Sequence, residues 1–229
     1  DSYPHLKAHL DKFKDVISSD NKPYGLHRAR VESFFIGEKI VALRKCAGKP
    51  VFAYANGLNY MSATFYVIKT NRVNMKYLTG LLNSKLIEFW LKNKGKMQGA
   101  NYQLDKEPLQ QIPIAVPSND VQEIIAKLVD MIILLNTTDE RASELVQNYY
   151  ISSELEKLID GCIYEIYLPG EMAGMSVITV LRNYIKQKDS ISIDDIWELY
   201  MKINSTGIIE SLNSLSLSSS ETLRTIILS

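Results

Sequence analysis

One stretch of the 229-residue chain, Tyr77–Pro117 (YLTGLLNSKLIEFWLKNKGKMQGANYQLDKEPLQQIPIAVP), restricts the fold more than any other. Leu78, Leu81, Leu82, Leu86, Phe89 and Trp90 recur at helical spacing and predict one helix from Asn74 to about Asn93 with a buried face. The run that follows, Lys92–Gln103, is a predicted loop that carries Lys92, Lys94, Lys96, Gln98, Asn101, Tyr102 and Gln103 and no acid. Such a segment cannot fill a core; its chemistry suits an anionic polymer that presents hydrogen-bonding edges. Ile112-Pro113-Ile114 reads as a short strand, which Pro113 confines to an edge or to the start of pairing.

The rest of the chain arranges itself around this stretch. His5–Ile17 places Leu6, Leu10, Phe13 and Ile17 on one helical face and Lys7, Lys12 and Lys14 on the other. A loop at Tyr24–Arg30 follows, then Phe34 and Phe35 as expected buried anchors. Lys39–Lys45, Val51–Asn56 and Ala63–Lys69 are short runs rich in β-branched and aromatic residues, separated by turn signals that include Asn56-Gly57. At Pro117-Ser118-Asn119-Asp120 the period changes, and Ser118 or Asn119 can cap a helix. Ile124, Ile125, Leu128, Val129, Ile132 and Leu135 form a helical stripe. Leu145, Tyr149, Leu155, Leu158, Ile159, Ile163 and Ile166 predict a second long helix over 140–167, so that 120–167 reads as a helix hairpin. Met172–Lys186 and Ile193–Ile203 predict two smaller helices, and Ser211–Ser219 a loose end. The expected class is α+β: a small mixed β-sheet domain with flanking helices over residues 1–117, then an α-helical C-terminal region over 118–229.

Charge sharpens the division. Residues 1–117 hold 18 Lys+Arg and 9 Asp+Glu, a net of +9, and residues 118–229 hold 8 and 17, a net of −9. A basic half joined to an acidic half points to polyanion binding by the basic one. No run of about 18 apolar residues is present, so no membrane span is expected. Cys46 and Cys162 have no partner motif and are expected as free thiols in a reducing cytoplasm. Asp1 is not a start methionine, so a piece of a longer protein is expected.

Catalytic signatures are missing. There is no Gly-rich nucleotide cradle and no nucleophile elbow. His5 and His9 lie at i, i+4, but no acid or cysteine completes a metal site. Asp194-Asp195 stand at a helix start, where dipole pairing explains them. Neither a catalytic nor a metal site is expected in these residues.

A family resemblance emerges from the order of the motifs. Tyr77–Trp90 (YLTGLLNSKLIEFW), then Gly99-Ala100-Asn101-Tyr102-Gln103, then Leu109-Gln110-Gln111-Ile112-Pro113-Ile114 resembles the TaqI-like C-terminal specificity domain. That domain ends many N6-adenine DNA methyltransferases and fused restriction–modification enzymes of type IIG. Leu158–Tyr167 (LIDGCIYEIY) is similar to a helix near the end of such enzymes, and the join Ile112–Leu135 is similar to that in type I specificity subunits. The resemblance implies sequence-specific recognition of double-stranded DNA beside a methyltransferase domain of the same parent chain, with or without a fused endonuclease, in a bacterial or archaeal cytoplasm. The parent would bind S-adenosylmethionine. The Asn-Pro-Pro-Tyr/Phe motif and the Gly-rich cofactor loop are absent from this chain, so no cofactor is expected in it and it reads as recognition without catalysis.

Amides and guanidinium groups read base edges, whereas lysines and arginines hold phosphates. The base-reading candidates are Arg28, Arg30, Gln98, Asn101, Tyr102 and Gln103; the phosphate candidates are His27, Arg44, Lys45, Lys49, Lys94 and Lys96. The alternative reading is a protein-interaction module or specificity subunit that docks a methyltransferase or nuclease partner.

Overall fold

The structure, a computed structural model, describes residues 2–17, 31–98, 101–172, 174–185, 191–217 and 220–229, with the backbone alone for Ile17, Met97 and Gln98. The N-terminal helix is divided into α1 (Pro4–Asp11) and α2 (Lys14–Ile17), with no buried residue in α1. Leu6 and Phe13 stay about half exposed. Of the two phenylalanines expected inside, Phe35 is buried and Phe34 is not.

The first β-run divides at Arg44 into β1 (Lys39–Leu43) and β2 (Lys45–Ala47). β1 lies between β3 (Phe52–Ala55) and β4 (Phe65–Ile68) in one antiparallel sheet. The register puts Ile40, Ala42, Phe52, Tyr54, Tyr66 and Ile68 on a single face, and Ile40, Ala42 and Phe52 are buried there. Lys39, on the other face, is fully buried and donates to the carbonyls of Gly37 (2.8 Å) and Gly57 (2.7 Å). Burial and the neighbouring Lys69 hold its ammonium below the usual lysine range.

The helix expected over 74–93 is two helices, α3 (Met75–Asn83) and α4 (Lys85–Lys94). The break lies in the Asn83-Ser84-Lys85 sequence, and each residue has a task. The Asn83 side chain accepts from the Phe52 amide (3.0 Å) and donates to the Phe52 carbonyl (2.7 Å), completing the open edge of β3. Ser84 is the N-cap of α4, its hydroxyl accepting from the Ile87 amide. The Lys85 amide donates to Asp160 at 2.7 Å.

The acid-free run is not a loop. It forms β5 (Lys96–Gln98) and β6 (Asn101–Gln103), which join β2 in a second antiparallel sheet of order β2-β6-β5. A short helix, α5 (Lys106–Gln110), follows. The segment around Ile112–Val116 is extended but pairs with no strand among the described residues. Tyrosines hold it instead: the Tyr167 hydroxyl donates to Pro113 O (2.6 Å) and accepts from the Ala115 amide (2.8 Å), and the Tyr77 hydroxyl donates to Ala115 O (2.8 Å). With no ladder to join, the missing amide proton of Pro113 costs nothing here.

Two long helices come next, α6 (Asn119–Thr137) and α7 (Asn148–Tyr167). α7 starts eight residues later than expected, which leaves Leu145 exposed before it, and Tyr149 in its first turn is exposed as well rather than in the apolar stripe. α6 packs on both α3 and α7. Gly80 allows the close approach: a Cβ there would meet Ile125 at 3.0 Å, Val129 at 3.2 Å and Ile159 at 3.4 Å. Beyond α7 lie α8 (Val177–Tyr184) and α9 (Ile193–Asn204). Ser192 and Asp195 form a capping box at the start of α9. Of the expected loose end, the described residues 211–217 are ordered as the last turn of α10 (Ile208–Asn213) and a 3-10 turn, Ser214–Leu217, with Leu215 buried; α11 (Glu221–Leu228) follows, packed on α4 with Leu223 and Ile226 buried. The class is α+β as expected. One buried cluster runs from Ile40 to Ile226 and crosses residue 117. Among the described residues no helix is long and apolar enough to cross a membrane.

Asp160 joins α7 to α4. Burial raises its carboxyl to about 7, against the opposing pull of the Lys85 amide and ammonium. Between about pH 4 and pH 7 the unfolded carboxyl ionises before the folded one, so this residue lowers stability as pH rises through that window. Asp160→Asn keeps an acceptor for the Lys85 amide and removes the titration. We expect urea denaturation to show the variant gaining on the wild type between pH 4 and pH 8; parallel profiles would contradict the assignment.

Candidate nucleic-acid interface

The β2-β6-β5 sheet has two unlike faces because side chains alternate along each strand. Lys45 pairs with Gln103 and Gln103 with Lys96, which makes one row across three strands. Ala47, Asn101 and Gln98 occupy the adjacent row in register. Cross-strand neighbours in such rows lie about 5 Å apart. Lys45, Lys96 and Asn101 are exposed and Gln103 is half-buried, so this face looks outward. It carries two ammonium groups and two amides in the described rows and no acid.

The opposite face holds Cys46 and Tyr102. Tyr102, expected to read bases, is buried, and its hydroxyl donates to Leu91 O at 2.6 Å. It is a core residue because the β alternation that turns Asn101 and Gln103 outward turns Tyr102 inward. The same Leu91 carbonyl accepts from the Gly95 amide at 2.7 Å. A Cβ on Gly95 would lie 2.0 Å from the Tyr102 hydroxyl oxygen, so only glycine fits at the exit of α4. This contact fixes the sheet on α4 and sets the outward row.

Arg44 sits between the two sheets. Its amide donates to Thr64 O (2.9 Å) and its carbonyl accepts from the Leu104 amide (2.9 Å), so one residue serves both. Its guanidinium lies 5.3 Å from the centre of the Tyr66 ring, a cation–π arrangement. An open cleft of about 540 Å³ forms at this junction, lined by Leu43, Arg44, Lys45, Thr64, Gln103 and Leu104. Arg44 and Lys45, adjacent in sequence, thus meet the distant Gln103 at one cleft.

The other phosphate candidates are placed differently. Lys94 lies 5.6 Å from the centre of the Trp90 ring in the last turn of α4. Lys49 is half exposed and 3.7 Å from Glu88, which also pairs with Lys92 (3.0 Å) and Lys85 (3.2 Å). Burial pushes the Glu88 carboxyl up, and these lysines overcome that to hold it below the usual carboxylate range. Lys49 therefore serves this cluster first. Gln98 pairs with Asn101 through β5 and β6. His27, Arg28 and Arg30 lie outside the described residues.

With this geometry in view, comparison with known proteins is informative. Residues 6–114 match the TaqI-like C-terminal specificity domain. Over that stretch the chain is similar to this family. Domains of this family recognise DNA targets in restriction–modification systems, and the basic sheet face lies wholly inside the matched residues. No curated protein shows significant similarity to the chain.

Sequence reasoning missed Gly95 and Asp105. The close Gly95–Tyr102 approach has no local signal. Asp105, the first acid after the acid-free run, was visible but unexplained; its carboxylate accepts from the Gln103 amide nitrogen at 2.8 Å.

If the Tyr102 contact fixes the sheet, the two sides of it differ in cost. Tyr102→Phe leaves Leu91 O still bonded to the Gly95 amide, so we expect a loss of about 1 kcal/mol. Gly95→Ala inserts a methyl into occupied space, for which about 1–3 kcal/mol is typical. Thermal unfolding checks the order. Gly95→Ala more stable than Tyr102→Phe would contradict the packing described.

Proposed function

We propose that this chain provides sequence-specific double-stranded DNA recognition for an adenine-specific DNA methyltransferase of a restriction–modification system, with the outward face of β2-β6-β5 as its contact surface. The observation that carries the proposal is the acid-free Lys45-Gln103-Lys96 row, with both lysines exposed, within the residues that match the specificity domain. Lys45 and Lys96 would hold phosphates, and Arg44 would do so from the cleft. Gln103 and Asn101 would meet base edges in the major groove. Lys94 would add a further cation from the last turn of α4. The catalytic work, with its S-adenosylmethionine, would belong to a methyltransferase domain of the parent, fused or not to a nuclease.

A second reading, a protein-docking module, draws on the other sheet. The outward face of β3-β1-β4 pairs Leu43 with Phe65 and Val41 with Val67. Leu43 and Phe65 are well exposed, and Phe34, Phe65 and Val67 border an open apolar cleft of about 370 Å³. Exposed apolar surface of this kind marks interaction sites. The two readings use different faces and do not compete.

Fluorescence anisotropy with duplex DNA across a salt series tests the first reading. Each phosphate contact contributes roughly 0.9 to the slope of log affinity against log salt. Replacing both Lys45 and Lys96 by Ala should weaken binding to every sequence alike and reduce that slope by about two. Binding unchanged by the double substitution would remove this face from the interface.

A further inference from the structure

Resting on the DNA-recognition reading above, we propose that Gln103 reads an adenine edge and that Asp105 is the positioning residue that orients its amide. Gln103 is the middle member of the outward row, with Lys45 on one side and Lys96 on the other. It also lines the cleft that opens beside Arg44. Two cations that hold the backbone on either side would centre a base edge over the amide between them.

Asp105 explains how that amide is aimed. It is the first acid after sixteen acid-free positions, Phe89–Leu104, and stands beside a surface built for a polyanion. A carboxylate there weakens phosphate binding unless it does something else. It accepts from Gln103 Nε2 at 2.8 Å. A side-chain amide has two N–H donors and a carbonyl oxygen. With the N–H anti to its oxygen committed to Asp105, Gln103 would retain its other N–H and its oxygen, side by side. That pair matches adenine, whose major-groove edge presents the N7 acceptor and an N6 donor. A guanine edge offers two acceptors and would leave the amide oxygen facing one of them. The Asp105 bond thus fixes which end of the amide faces the strand direction and turns a free rotor into a base reader.

The test is selection of bound sequences from a randomised duplex pool by the full 229-residue chain, followed by affinity measurements on single-position variants of the recovered sequence. The wild type should recover a sequence with one A·T pair at which Gln103→Ala loses a preference of roughly ten- to a hundredfold. Asp105→Ala should lose the same preference at the same pair, with other positions, the salt slope and the thermal midpoint unchanged. Asp105→Asn removes the same charge but keeps an acceptor for Gln103, so it should retain the preference. Loss of the A·T preference in both Asp105 variants alike would report charge alone and overturn the positioning role. Full preference in Asp105→Ala would overturn it as well. A Gln103-sensitive pair other than A·T, or no sensitive pair, would overturn the adenine assignment while DNA recognition stands. A wild type that binds no duplex at about 50 mM salt would bring down the broader reading and this inference with it.

Discussion

The Tyr102 hydroxyl bonded to the Leu91 carbonyl, with Gly95 beneath it, is the contact on which the rest depends. It ties a strand of only three residues to the end of α4. Strands this short have little stability of their own. Once Tyr102 is buried, alternation leaves Asn101 and Gln103 no choice but to face outward. The polar row is therefore a consequence of one core tyrosine, and its cations need no further support than β2 and β5 on either side.

The α4 end is held in turn by charge and capping. Ser84 caps its start, Asp160 takes the Lys85 amide, and Glu88 gathers Lys49, Lys85 and Lys92 around a largely buried carboxylate. Removing a partner from a buried charge is costly in a way that surface pairs are not. The acidic half thus contributes a structural anchor, Asp160 on α7, to the basic half. The two halves share one core, and α6 packing on α3 across residue 117 has the same effect.

How much of this was legible in the sequence depends on how local the cause is. The stripe Ile124–Leu135 gave α6 because a helix face is a matter of spacing. The order of motifs in Tyr77–Ile114 led to the family, and the match over residues 6–114 agrees. The break at Ser84 was harder, since it depends on Phe52 and Asp160, which lie 32 and 76 positions away in the chain. The run Lys92–Gln103 looked like a loop because three-residue strands show almost no period, and their pairing with β2 is non-local. For the same reason Tyr102 could not be told from its neighbours until the register was known. The Ser-rich stretch Ser211–Ser219 concealed Leu212 and Leu215, whose burial comes from packing against neighbouring helices rather than from local pattern.

The central claim is that the Lys45-Gln103-Lys96 face meets DNA. Lysine-reactivity footprinting by mass spectrometry, with and without saturating duplex, tests it most directly, because Lys45 and Lys96 are exposed and their amines are free to react. Lys157 on α7 and Lys202 on α9 are internal controls on the acidic half. The account predicts that duplex DNA slows modification of Lys45 and Lys96 several-fold and leaves Lys157 and Lys202 unchanged. Equal reactivity of Lys45 and Lys96 with DNA bound, or protection centred on Lys157 and Lys202, would contradict it.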